Sequence, residues 1–410
     1  MDDSCIENAN RRLLALLSAA RPMLVDVRQA RDVIPGLGAY DLLHAGPPLV
    51  EDDAVCGALD GAIRGTLILD GAPSMPSVGS GLPSPWRLRS ADECSAVGTF
   101  GGVISSSTSV FVIEDVTSGT RAFSALNEGR GTALRYGSTA PETLERMRWL
   151  NGEFSELLGA AIRQTGAIDV FAILEHALQM GDDGHSRQKA GSALFLGAVA
   201  PALADVADSP RDASRSLTFL AANDFFFLPI AMASAKSALR AAETVPGSTI
   251  VTAIAFNGAR CGIRLGGGEW ATSPVPQIHG EYFRGHDADD AGPVIGDSEI
   301  METLGLGACA MASAPALARY VGGSVAQATA FTNEMYRITV AEHPRFRIPA
   351  LDGRGTPFGI DARKVVEAGV PPVFNTGIAH RAAGVGQIGA GYGRVPLECF
   401  HTALAAVRAQ

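Results

Sequence analysis

The sequence predicts a mixed α+β protein of several domains, with an all-helical segment between two portions that combine strands and helices. Three observations carry this. β-rich runs alternate with helical periodicity up to about residue 140, helical periodicity stands alone from Pro141 to Val245, and strand texture returns at Gly247. A chain of 410 residues accommodates two to four domains of about 100–200 residues each. The expected division is 1–140, 141–245 and 246–410.

In the first portion, Glu7–Ala20 carries apolar residues at helical spacing and is closed by Pro22. Met23–Val27 and Leu42–Ala45 read as short buried strands, the second stopped by Gly46, Pro47 and Pro48. Ala54–Arg64 reads as a helix and Thr66–Leu69 as a strand; Asp70–Ser90 is loop-like, and Val103–Val116 is a β-branched strand. Helical periodicity follows over Thr143–Thr165, Ile168–Met180, Ser186–Val206, Ala213–Ala222 and Leu228–Thr244, with Pro141 and Asp212 where helices start. Gly247–Phe256 and Ala259–Leu265 flank Asn257-Gly258, a strong hairpin signal. Helices are expected near Glu302–Tyr320, Val325–Tyr336 and Pro396–Val407. Turns are expected at 352–357, 375–377 and 384–393.

Composition narrows the function. Apolar residues make up 47% and charged residues 19%, enough for real cores and too little charge for disorder. The net charge of −10 argues against a nucleic-acid partner, which needs clustered Lys and Arg. Only Lys189, Lys236 and Lys364 are lysines, so Schiff-base chemistry has few candidates. Six scattered cysteines form no CxxC pair, and no metal ligand set or cofactor is expected. The acidic start and uncharged stretches of about 15 residues predict a cytoplasmic protein with no membrane partner, since a span needs about 20.

Several polar loops are candidates for chemistry. Gly384-x-Gly386-x-x-Gly389 has dinucleotide-fingerprint spacing but lacks the following βαβ unit and acidic residue, and reads as a ligand-lining loop. The loop Met180–Arg187 gathers Asp182, Asp183, His185 and Arg187. Asp182 or Ser186 could cap the next helix, or the loop could bind an anion with His185 as general acid or base. Asp297, Glu299 and Glu302 precede or enter a helix, as dipole partners or as a cation or donor-rich site. Asn127-Glu128 and Asn375 to His380 could orient a carbonyl. Arg354 stands in a stiff Gly/Pro frame beside Asp352, suited to a bidentate anion. His44 ends a strand, where ligands sit in α/β units; a hydrogen-bonded core histidine fits equally.

The segments LLHAGPPL (Leu42–Leu49), ALNEGRG (Ala125–Gly131), LRYGS (Leu134–Ser138), ALQMGDDGHSR (Ala177–Arg187), GSTIVTAIAFNG (Gly247–Gly258), GDSEIMETLGLG (Gly296–Gly307), IPALDGRGTPFGID (Ile348–Asp361), VFNTGIAH (Val373–His380) and GQIGAG (Gly386–Gly391) resemble those of the AllG-type subunit family of bacterial oxamate carbamoyltransferase. The resemblance implies oxalurate plus phosphate giving oxamate plus carbamoyl phosphate in allantoin and purine catabolism. It also implies a small anionic carbamoyl or ureido substrate, FdrA-like partner subunits and a possible homo-oligomer. On that basis His380, Asp182, His185, Glu128 and Asn375 are the catalytic candidates. Substrate-binding candidates are His44, Asn127, Arg187, Asp352, Arg354, Asp361, Gln387, Asp297 and Glu302. The chain departs from the family at Asp92-Glu93, where imidazoles are usual, and at Thr99-Phe100, where Pro-Met is usual. If that wall touches substrate, a hydrolase or lyase of another ureido or amide compound becomes the alternative. A non-catalytic assembly subunit is the third reading.

Overall fold

The computed structural model describes residues 3–409 apart from Ser74 and Pro76, two positions inside the expected 70–90 loop. It is a mixed α+β fold with several small sheets. The largest sheet has the strand order Ala96–Val97, Arg121–Ala125, Ser109–Asp115, Pro22–Gln29, Ile168–Asp169. Its neighbours are antiparallel except for the first pair. Helices Ser155–Thr165 and Leu228–Ala242 pack on this sheet. Their apolar faces join Leu13, Leu17, Leu24, Phe111 and Ile113 in one large core that also reaches Phe346 and Phe358.

The hairpin across Asn257-Gly258 forms as its sequence requires. Strands Val251–Asn257 and Arg260–Leu265 pair antiparallel, Gly258 takes φ 90°, and the Asn257 side-chain oxygen Oδ1 accepts from the amides of Ala259 and Arg260. A second core lies beneath this sheet and the sheet of His279–Tyr282, Gln387–Arg394 and Val373–Ala379.

Several local expectations give way to tertiary context. Thr66–Leu69 is the last turn of the helix Gly57–Leu69: Leu59, Ile63 and Leu67 recur at helical spacing and are all buried, so core packing overrides β-propensity. Residues 375–377 are strand rather than turn, and most of the turn expected at 384–393 is the strand Gln387–Arg394. Ile168 and Asp169 do not start a helix; they add an edge strand before the helix Val170–Gln179. Among the described residues one helix, Lys189–Val206, is long and apolar enough to cross a membrane, but it carries Pro201 and buries Phe195, Val199 and Leu203 in the main core.

Candidate functional site

Loops from all three segments converge on one cavity. An outer vestibule of about 850 Å³ and a tight inner recess of about 60 Å³ share Asn127, Arg135, Tyr136, Ser186, Phe225, Tyr320 and Gln387 as walls. Arg130, Arg187 and Lys189 add cations to the vestibule; Phe100, His185, Ser298 and Thr376 close the recess.

Arg135 is the central group. It lies in the single turn Leu134–Tyr136, seated against the helix Gly57–Leu69 so closely that a Cβ on Gly61 would lie 2.2 Å from the Gly137 carbonyl oxygen. Glycine at 61 and left-handed glycine at 137 (φ 81°) make that approach possible. Glu128 fixes the turn by accepting from the amides of Leu134 at 2.5 Å and Arg135 at 2.8 Å. Arg135 is 9% exposed. Its Nη2 donates to the Gly129 carbonyl at 3.0 Å, whereas Nη1 has no hydrogen-bond partner and stands 3.9 Å from Glu128. A guanidinium on a cavity wall with a donor lacking a hydrogen-bond partner has the chemistry to hold an anion.

Amide and hydroxyl groups surround it. The Asn127 side-chain oxygen accepts from the Gly129 amide and from Asn223, both near 3 Å. Tyr136 donates to the Gln387 side-chain oxygen at 3.3 Å, and Gln387 donates in turn to Tyr320 at 3.1 Å.

The loop 180–188 forms the opposite wall. Asp183 accepts from the amides of His185 and Arg187 and from the Asn375 side chain at 2.8 Å; Ser186 donates to Asn375 at 2.7 Å. His185 Nδ1 meets Glu302 at 3.0 Å with both side chains buried, and Glu302 also accepts from the Ala308 amide. Burial opposes charge on His185, but the carboxylates of Glu302, Glu299 and Asp183 outweigh it and hold its proton up to about 9. Burial pushes Glu299 up to about 7 and raises Glu302, with His185 countering in both. Asp182 is pushed to about 7 by burial; it accepts from the Gly191 amide in the first turn of the helix Lys189–Val206.

The sequence candidates therefore separate. Asn127, Arg187 and Gln387 line the vestibule, His185 lines the recess, and Asn375, Glu302 and Asp182 stand behind the wall. Glu128 spends both carboxylate oxygens on backbone amides. Asp297 is a staple: its two oxygens accept from the amides of Gly46 and Gly98, each at 2.7 Å. Burial pushes its carboxyl up to about 7. His44 is buried with Nδ1 2.7 Å from the Ala45 carbonyl, and burial lowers its proton affinity. Asp361 caps the helix Ala362–Ala368 and binds Arg363 and Asn10. Arg354 and Asp352 are exposed; Arg354 pairs with Glu342 at 2.6 Å and lies over the Tyr336 ring. Neither belongs to the cavity wall.

His380 also lies apart from the cavity. With His286 and Asp290 it places three possible metal-ligand atoms within 4.8 Å of one another. Its Nδ1 accepts from the Ala382 amide, which puts the ring proton on Nε2, 3.7 Å from Asp290. While that contact stands, Nε2 has no lone pair for a metal, and the group acts as a clasp between the segments 286–290 and 380–382.

The Asp92-Glu93 departure does not touch the cavity either. Asp92 binds Lys236 and Arg264, and Glu93 binds Arg89 on the surface. Thr99 and Phe100 do line the recess, Phe100 packing on Tyr136 with ring centroids 4.8 Å apart. Sequence reasoning passed over Arg135, Tyr136 and Tyr320. The available signal was Leu134–Ser138, a lone arginine between Leu134 and Tyr136, followed by Gly137 and seven residues after Glu128.

The model of the family described as oxamate carbamoyltransferase subunit AllG matches residues 86–298. Oxamate carbamoyltransferase subunit AllG of Escherichia coli K12 is 38% identical over 409 residues, covering 98% of this chain and 97% of that one. The uncharacterized protein YahG of the same organism is 36% identical over 403 residues, covering 97% and 85%. A crystal structure of a conserved protein of unknown function from Enterococcus faecalis V583 superposes with a TM-score of 0.94 at 37% identity, covering 98% of each chain. Similarity of this extent, end to end, places the chain in the AllG family of oxamate carbamoyltransferase subunits.

Proposed function

We propose that this chain carries the substrate cavity of an oxamate carbamoyltransferase, in which phosphate attacks the terminal carbamoyl carbon of oxalurate to give carbamoyl phosphate and oxamate. The observation that carries the proposal is Arg135, buried on the wall shared by vestibule and recess with Nη1 lacking a hydrogen-bond partner. In this reading Arg135 takes the oxalurate carboxylate, Asn127 and Gln387 orient the amide groups, and the cations Arg130, Arg187 and Lys189 attract phosphate to the vestibule. Positioning two anions against one carbonyl supplies much of the catalysis such a transfer needs. Partner subunits, FdrA-like ones among them, complete the assembly in this reading.

The test is phosphate-dependent cleavage of oxalurate, read as carbamoyl phosphate formed, with the chain alone and with its partner subunits. Turnover that Arg135→Ala abolishes supports the proposal. Cleavage that proceeds without phosphate would favour a ureido or amide hydrolase instead. Turnover by the assembly that survives Arg135→Ala, with the vestibule cations also replaced, would assign the chemistry to a partner and leave this chain a scaffold.

A further inference from the structure

Phosphorolysis of oxalurate needs a proton at one defined atom. A phosphate oxygen bonds to the carbamoyl carbon, the bond from that carbon to the oxamate nitrogen breaks, and its electron pair goes to nitrogen. An amide anion leaves poorly, so nitrogen has to gain a proton as the bond breaks. The balance closes when the proton of hydrogenphosphate ends on oxamate, and a group between the two can relay it.

The recess offers one group for this. Of its described lining residues, Arg135, Tyr136, Tyr320 and His185 titrate, and only the imidazole exchanges protons within a few units of neutral pH. Glu302 engages Nδ1, which leaves Nε2 as the nitrogen of His185 free to meet a ligand. The ring is held from three sides. Asp183 accepts from the His185 amide, Asn375 and Ser186 tie that loop to the strand Val373–Ala379, and Glu302 is fixed by the Ala308 amide. Gly307 makes room for that carboxylate: a Cβ there would lie 2.1 Å from Glu302 Oε1.

We propose that His185 is the general acid that protonates the departing oxamate nitrogen, with Glu302 as the positioning residue that orients the ring through Nδ1. The inference rests on the carbamoyl-transfer reading above. The charged and titratable groups facing His185 are Glu302 and Glu299 from the segment 299–303, Asp183 from its own loop, and Arg135, Tyr136 and Tyr320 on the other walls of the recess. The three carboxylates favour the imidazolium, so the ring enters the reaction as an acid. After donating, His185 takes up the proton lost by the attacking phosphate and is reset for the next turnover.

The experiment compares wild type, His185→Gln and Glu302→Gln in the full assembly with oxalurate and phosphate, across pH 6 to 10. Wild-type turnover should fall as pH rises through about 9, where the imidazolium is lost. His185→Gln should lower kcat by about 10²–10⁴ with KM nearly unchanged and should remove that alkaline limb. Glu302→Gln should move the limb to lower pH, a shift that lost packing alone does not produce. Wild-type turnover with His185→Gln within threefold of it overturns the inference and leaves the carbamoyl-transfer reading intact. If His185→Gln does not fold, an alkaline limb unmoved by Glu302→Gln overturns it equally. Absence of carbamoyl phosphate from folded wild-type assembly overturns both.

Discussion

Two buried charge clusters in this molecule follow opposite rules. Around Lys236, which is 1% exposed, every charge is matched: Lys236 donates to Asp92 and Glu243, Arg264 to Asp92 at 2.8 Å, and Arg240 to Glu243 at 2.6 Å. Burial opposes charge on Lys236, yet the two carboxylates hold its proton above the ordinary lysine range. Burial likewise opposes charge on Asp92, and Lys236 and Arg264 bring its carboxyl below its usual value. Beside the cavity, four carboxyls (Asp182, Asp183, Glu299 and Glu302) face one imidazole and the half-buried Arg187. Asp182, Glu299 and Glu302 each keep a buried oxygen without a hydrogen-bond donor. A buried network in which every charge has a partner joins elements of the fold; one with carboxyls in excess costs stability and marks a candidate functional site.

The comparison is broken most severely at Lys236. Lys236→Ala leaves Asp92 and Glu243 buried beside each other, and unfolding in urea should show a loss of about 3–5 kcal/mol. Turnover of the surviving folded fraction should be unchanged, because Lys236 lines no part of the cavity. Arg135→Lys does the reverse. It keeps the charge but loses the forked geometry, so KM for oxalurate should rise by roughly tenfold or more while the unfolding midpoint hardly moves.

A pH series sharpens the contrast because the clusters have opposite signs. Asp182 and Glu299, like the staple Asp297, hold protons up to about 7 when folded, against 3.8 for a free aspartate and 4.5 for a free glutamate. The folded state binds the extra protons, so stability falls as pH rises from about 4 to about 7. His185 extends that decline, since its contribution is complete below 6.5 and is lost as pH rises through about 9. Asp92 acts oppositely: its carboxyl is lowered on folding, and its contribution is lost as pH falls below the free value of 3.8. Thermal unfolding of Asp182→Asn should show a flatter slope between pH 4 and 7 than wild type. An identical slope would remove Asp182 from the unbalanced cluster.

The elements were legible where one local rule decided them. Asn257-Gly258 specified its hairpin, and the spacing of Leu13 and Leu17 specified the first helix. The pairing of Ile168–Asp169 with Pro22–Gln29 was not legible, because it depends on two segments about 145 residues apart. The site was half legible. The polar loops at 125–131, 177–187 and 386–391 do converge, since Gly- and Asn-rich backbone is suited to lining a cavity. What sequence could not rank was which charges are already satisfied. Glu128, Asp297 and Arg354 look as reactive in sequence as Arg135 and His185, but their partners come from backbone amides and from distant residues.

Arg354 gives the smallest expected effect. It stands in Ile348–Asp361, a segment with three glycines and three charged residues, and Asp352 nearby takes a left-handed φ of 53°. The hairpin Thr339–Ile348 and Arg354–Ile360 turns this arginine outward, where Glu342 and the Tyr336 ring occupy its guanidinium. Both members of the Arg354–Glu342 pair are about half exposed, so water screens the interaction. Arg354→Lys should therefore change stability by no more than about 0.5 kcal/mol and leave KM and kcat for oxalurate unaltered. A rise in KM matching that of Arg135→Lys would show that the anion is held on this outer hairpin, and the assignment of the cavity would fail with it.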